Sequence, residues 1–110
     1  MGTSNLGEFE QIVLLAVVHL PDPYGVPIVD EIEQRTQRAT SRSAVYVTLR
    51  RLEKKGLVAS WLSESTPERG GKARRCFRVE PEGLRALQES RRVLASMWDG
   101  IEPATLIQGG

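Results

Sequence analysis

At Gly56 the spacing of apolar residues changes from a helical to a strand period, and this change confines the chain to helices followed by a hairpin. Ahead of it lie three helical stretches. In residues 7–20, Phe9, Ile12, Val13, Ala16, Val17 and Leu20 recur on one face. Leu14, Leu15 and Val18 widen that face, which predicts a helix buried on most sides. Pro21-Asp22-Pro23 stops it, because proline supplies no backbone N–H. A second helix starts at Gly25 or Val26, with Pro27 tolerated in its first turn. Ile28, Val29 and Ile32 face the core. Asp30, Glu31 and Glu33 are read as early residues suited to the positive helix end, and Arg35 and Arg38 suit the other end. The third helix is predicted from about Ser43 to Lys55, capped by Thr40, Ser41 or Ser43. Gly56 closes it.

Beyond Gly56 the pattern predicts two strands. The first is Leu57 to Ser63, with Val58, Trp61 and Leu62 as apolar members. The second is about Arg74 to Val79, where Phe77 and Val79 alternate with Cys76 and Arg78. The stretch between, Glu64 to Ala73, holds Pro67 and Gly70-Gly71 and predicts a long, mobile hairpin tip. Pro81 opens a last helix through about Asp99. Leu84, Leu87, Leu94, Trp98 and Ile101 step by three, seven, four and three, the a and d places of a heptad, with Arg91 in the missing one. The tail from Glu102 is expected to fray. The expected fold is mostly α with a two-stranded β-wing. A winged helix-turn-helix unit spans 1–80, and a C-terminal dimerisation helix and tail span 81–110.

Charge is divided unevenly along the 110 residues. Residues 1–40 carry two basic residues against six acidic, residues 41–78 ten against three, and residues 79–110 three against five. A net +7 concentrated in the middle third is the asymmetry of a surface that meets a polyanion, although a solvated basic face also has it. Other classes find little support. Cys76 is the only cysteine, so neither an internal disulfide nor a cysteine metal cluster is expected. His19, the only histidine, has no second ligand nearby in sequence. No nucleophile sits with a base, so neither an enzyme nor a cofactor is expected. Gly70-Gly71 precede no helix and lack phosphate-loop spacing. The apolar run Ile12 to Val18 is too short to cross a membrane. Met1 to Asn5 show no signal-peptide pattern, so a cytoplasmic protein is expected.

The third helix places the charge. With Val45 at zero and about 100° per residue, Leu49 falls near 40° and Leu52 near −20°. These form the buried stripe. Ser43, Tyr46, Val47, Arg50 and Lys54 fall between about 100° and 200°. This opposite face lacks acidic residues, since Glu53 points sideways. Arginine bonds guanine through two donors, hydroxyls reach phosphate or base edges, and valine touches a thymine methyl. Arg51 and Lys55 flank the face and can reach the backbone. The expected DNA-contacting set is Ser41, Arg42, Ser43, Tyr46, Val47, Arg50, Arg51 and Lys54. The wing adds Arg69, Lys72, Arg74 and Arg75, around glycines that let phosphate approach. Cys76 is read as a plain strand residue.

The run from Ala44 to Val58, with its tyrosine-containing helix, combines with the cationic run Gly71 to Val79 and with Pro81-Glu82-Gly83 entering the last helix. Together with Leu6-Gly7-Glu8-Phe9-Glu10 and Tyr24-Gly25-Val26-Pro27-Ile28, these segments resemble PadR-family regulators over roughly residues 6–92. Phe77 stands where a tyrosine is usual, and Glu80 where a threonine is. The resemblance implies a DNA-binding transcriptional regulator that dimerises through its C-terminal helix and represses promoters. It places Ser43, Tyr46 and Arg50 in the recognition helix and Lys72, Arg74 and Arg75 in the wing. The expected partners are double-stranded DNA and a second copy of the chain, with Leu84, Leu87, Arg91, Leu94, Trp98 and Ile101 at the dimer interface. Near a two-fold axis, two Trp98 indoles either pack as dimer core or leave a slot for a planar aromatic ligand. A winged-helix protein-interaction module, or a co-regulator without its own DNA contact, is the alternative function.

Overall fold

The computed structural model describes residues 6–64 and 70–101. It contains α1 (Glu8–His19), α2 (Gly25–Thr36), α3 (Arg42–Lys54), β1 (Val58–Leu62), β2 (Arg75–Val79) and α4 (Pro81–Trp98). This is a three-helix unit, a two-stranded antiparallel hairpin and a last helix, as the change of period at Gly56 predicts. The expected fraying beyond Glu102 falls outside the described residues, as does the middle of the hairpin tip.

Local chemistry fixes the helix ends. Ser41 Oγ accepts from the Ala44 N–H at 3.1 Å, which settles the cap of α3 among the three candidates. At the other end Gly56 has φ +77°, its N–H reaches the Glu53 carbonyl at 3.0 Å, and the Leu57 N–H reaches Leu52 at 2.9 Å. This paired closure needs a left-handed residue and releases the chain directly into β1. Gln37, the cap of α2, takes the same conformation.

The core gathers Val13, Leu14 and Val17 from α1, Ile28 and Ile32 from α2, and Val45, Leu49 and Leu52 from α3. Val58 and Phe77 of the hairpin and Leu87 of α4 complete it. Gly83 lets α4 cross this assembly closely, since a Cβ there would lie 2.4 Å from the Leu57 carbonyl oxygen.

The structure corrects three expectations and adds the exposure of two strand residues. Leu15 and Val18 are 46% and 50% exposed, because α2 and α3 cover only one side of α1. The acidic residues of α2 lie beyond its first turn. Glu31 instead pairs with Arg35 one turn on, and Glu33 accepts the Thr40 N–H at 2.8 Å, tying α2 to the turn before α3. Trp61 and Leu62 are exposed, since β1 runs past the edge of the core. Cys76 and Phe77 are both buried in place of strict alternation, because Tyr24 bridges the outer edge of β2 at Cys76.

Candidate nucleic-acid interface

The inner face of α3 is anchored by Val45, Leu49 and Leu52, all fully buried. That anchoring fixes what the outer face presents. Ser43, Val47, Arg50, Arg51 and Lys54 are exposed, as are Ser41 and Arg42 at the N-terminus. The side chains of Arg42, Arg50, Arg51 and Lys54 form no salt bridge among the described residues. Val47, Arg50, Arg51, Glu53 and Lys54 border a shallow depression. Glu53 leans to one side, where its Oε2 accepts from Ser60 Oγ of β1 at 2.7 Å. Arg50 and Lys54 thus stand with Val47 on the outer face of α3, with Arg51 at its flank and Arg42 at the helix start.

One expected member of the face and one expected flanking residue are placed otherwise. Tyr46 is half-buried in the seam between α2 and β2. Its ring meets Phe77 edge-on at 6.1 Å, and its hydroxyl lies over Gly25, where an added Cβ would come within 2.6 Å. The ring is held there because glycine at the start of α2 leaves room for it. Lys55 turns away from the face, and its Nζ donates to Glu10 Oε2 of α1 at 2.9 Å. Burial works to raise the Glu10 carboxyl. The hydrogen bonds from Lys55 and from the Gly7 N–H, with the charges of Lys55 and Arg51, outweigh it and hold the group below the usual carboxylate range.

The cations of the wing are more constrained than those of α3. Arg75 is exposed but donates to Ser60 Oγ at 3.2 Å, so Glu53, Ser60 and Arg75 connect α3 to both strands. Arg74 lies over the Tyr24 ring and beside Asp22. Lys72 is exposed beside Gly70 and Gly71, both at positive φ. Arg69 lies outside the described residues.

The family described as Transcriptional regulator PadR-like family matches residues 14–89, from the middle of α1 into α4. The chain belongs to this family. It is therefore a transcriptional regulator and not an enzyme. Among solved structures, a PadR family transcriptional regulator from Eggerthella lenta is similar at 27% identity, covering 94% of this chain and 88% of that one, with a TM-score of 0.67. A PadR-like transcriptional regulator from Bacillus cereus shares the fold at 20% identity, with 93% of each chain covered and a TM-score of 0.71. A transcriptional regulator from Clostridium thermocellum does so at 24% identity, covering 84% of this chain and 87% of that one, with a TM-score of 0.67. A comparison with curated proteins returns no match.

In this PadR-like regulator a second surface lies away from α3. Leu15 and Val18 of α1 and Leu84, Leu94 and Trp98 of α4 line an open apolar groove of about 620 Å³. Leu84, Leu94, Trp98 and Ile101 are 44%, 56%, 49% and 43% exposed. Arg91 is also exposed, and Leu87, only 9% exposed, packs in the protomer's core while lining the same groove. The heptad spacing could not separate Leu87 from the rest, because the stripe passes from the seated to the bare half of α4 without changing register. Help from α1 at the dimer surface was expected, but Leu15 and Val18 were read as part of its buried face. Their exposure beside α4 is a tertiary fact that periodicity within α1 does not carry. Among the described residues no helix is long and apolar enough to cross a membrane.

Proposed function

We propose that the protein is a cytoplasmic, homodimeric repressor that places α3 of each protomer in the major groove of a near-palindromic operator. The observation that carries this reading is the outer face of α3, where Arg50 and Lys54, without salt-bridge partners among the described residues, stand beside Val47 on a helix with a fully buried opposite side. Arg50 is the proposed guanine reader and Val47 the thymine-methyl contact. Ser41, Arg42 and Ser43 at the helix start, with Arg51 and Lys54, are proposed to hold phosphate. Tyr46 supports the helix from behind. Lys72 and Arg75 extend the contact along the backbone.

The proposed division of labour sets DNA binding in residues 1–80 and dimerisation in 81–110. The groove between α1 and α4 supports it, because a second copy would cover Leu84, Leu94, Trp98 and Ile101. Burying each large side chain is worth roughly 1.5–3 kcal/mol. A two-fold dimer would set the two α3 helices about 34–36 Å apart, one turn of DNA. Relief of repression is proposed to act through the same groove. A planar aromatic compound stacking between Trp98 and its symmetry mate would alter the spacing of the two α3 helices and weaken operator binding by linkage.

The test selects binding sites from a random duplex pool and follows affinity against salt. A near-palindromic consensus, with log affinity falling steeply against log salt, is the expected result. Affinity indifferent to salt overturns the reading. For the ligand, planar aromatic compounds are titrated into wild type and Trp98→Ala with operator release as the readout. An identical response of the two proteins removes Trp98 from sensing.

A further inference from the structure

Three consecutive residues between α1 and α2 hold the base of the wing. The Phe77 N–H donates to the Pro23 carbonyl at 2.9 Å, and Tyr24 forms an isolated antiparallel bridge with Cys76. The Arg74 guanidinium carbon stands 4.1 Å from the centre of the Tyr24 ring, and its Nη1 is 3.6 Å from Asp22 Oδ2. An aromatic face and a carboxylate therefore engage Arg74 together, and its side chain is 31% exposed. Tyr24 is also the cap residue of α2, directly before the glycine that receives Tyr46 of α3. Tyr46 in turn meets Phe77 of β2. The contacts close a circuit from β2 to the α1–α2 connection, through α2 to α3, and back to β2.

Magnitudes indicate what such a circuit does. A surface ion pair is worth about 0–1 kcal/mol, and an exposed cation–π contact about 0.5–1 kcal/mol. These are too small to hold the fold, yet enough to select one angle for a two-stranded hairpin that is marginal by itself. A phosphate would have to draw Arg74 from both partners at once. The neighbouring Arg75 is exposed and donates to Ser60 Oγ at 3.2 Å.

We propose that Asp22, Tyr24 and Arg74 form a positioning device that sets the angle of the wing against α3, and that Arg74 serves DNA binding through this device and not by touching phosphate. The proposal rests on reading α3 and the wing as the DNA-binding surface. It gives Asp22 an effect opposite in sign to its charge. Removing a carboxylate near a polyanion should tighten binding by electrostatics alone. Removing it from the device releases the wing and weakens binding.

The experiment uses the full chain and a duplex of about 30 base pairs carrying the site that wild type selects from a random pool, read by anisotropy across a salt series. Asp22→Asn is expected to bind about two- to fivefold more weakly, the range that loss of a surface ion pair allows. Its log affinity should also fall less steeply with log salt, because released wing cations no longer meet phosphate together. Arg74→Lys keeps the charge but loses the flat stacking surface and is expected to show the same loss. Asp22→Glu is expected to restore affinity and slope. Thermal midpoints should stay with wild type. Should Asp22→Asn lower the midpoint, Arg74→Lys against wild type decides. Asp22→Asn binding as tightly as wild type or tighter, or Arg74→Lys indistinguishable from wild type, overturns the device. A wild-type protein that selects no site and binds no duplex overturns the DNA reading instead.

Discussion

Helices α3 and α4 are built on the same plan and end with opposite surfaces. Each buries one stripe in the protomer, with Val45, Leu49 and Leu52 on α3 and Gly83, Ala86 and Leu87 on α4. The outer face of α3 carries Arg50, Arg51 and Lys54, and α3 is seated along its whole length. Only the first half of α4 is seated, and its bare half presents Leu94, Met97 and Trp98, which are 56%, 71% and 49% exposed. A cationic face keeps its hydration until a polyanion displaces counterions. An apolar face of this size stays in water at a cost, and association removes it. The two helices thus face different partners because of what each leaves uncovered.

The strongest way to break this comparison is Leu94→Glu. The change leaves the core untouched and sets a charge on the bare half of α4. We expect a monomer in sedimentation velocity and operator affinity lower by about 10²–10⁴, the advantage that linked binding gives. A dimer with full affinity would show that the apolar face of α4 has another use. Arg50→Ala addresses α3 in turn. It should cost about 1–3 kcal/mol on the preferred site and relax selection at one base position, as read by repeating the site selection. Equal losses on every sequence would demote Arg50 to a phosphate contact.

Glu10→Gln sharpens the comparison from within the fold, because Glu10 and Lys55 tie the C-terminal end of α3 to α1. The Glu10 carboxyl is held below its usual value of 4.5, so its contribution is fully present above that pH. The contribution is lost as pH falls through the lower folded-state value. With Lys55 partly exposed, the variant should lose about 1–2 kcal/mol near neutral pH in urea unfolding. The difference from wild type should shrink on acidification below 4.5. A gap that stays constant with pH would remove the ion pair from the account. The smallest expected effect is that of Lys72→Ala. It should weaken all duplexes alike, and the salt slope should become shallower by about 0.9 if one phosphate contact is lost.

Most of the fold was legible because helix and strand periods differ and because Pro21, Pro23, Gly56 and Pro81 mark the boundaries. Arg50, Val47 and Lys54 were legible for a related reason. A helix with one buried stripe has a determined opposite face, so exposure follows from angle. Tyr46 shows the limit of that reasoning. It lies at the margin of the face by angle, and Gly25, twenty-one residues earlier, admits its ring. Arg74 shows the same limit more strongly. Its sequence neighbours are the cations of the wing, whereas its spatial neighbours are Asp22 and Tyr24.

The sequence by itself determined which segments are helix or strand, where they stop, and which third of the chain is cationic. Those properties depend on residues within a turn or two of one another, where backbone geometry fixes the spacing. Tertiary structure alone decided which charges are committed and which apolar side chains stay bare. Arg74, Lys55 and Glu33 are spoken for by groups that only packing brings near, while Leu15, Val18 and Trp98 stay about half exposed along the groove between α1 and α4. Availability depends on what stands across a few ångströms of space, and a pattern along one segment holds no record of it.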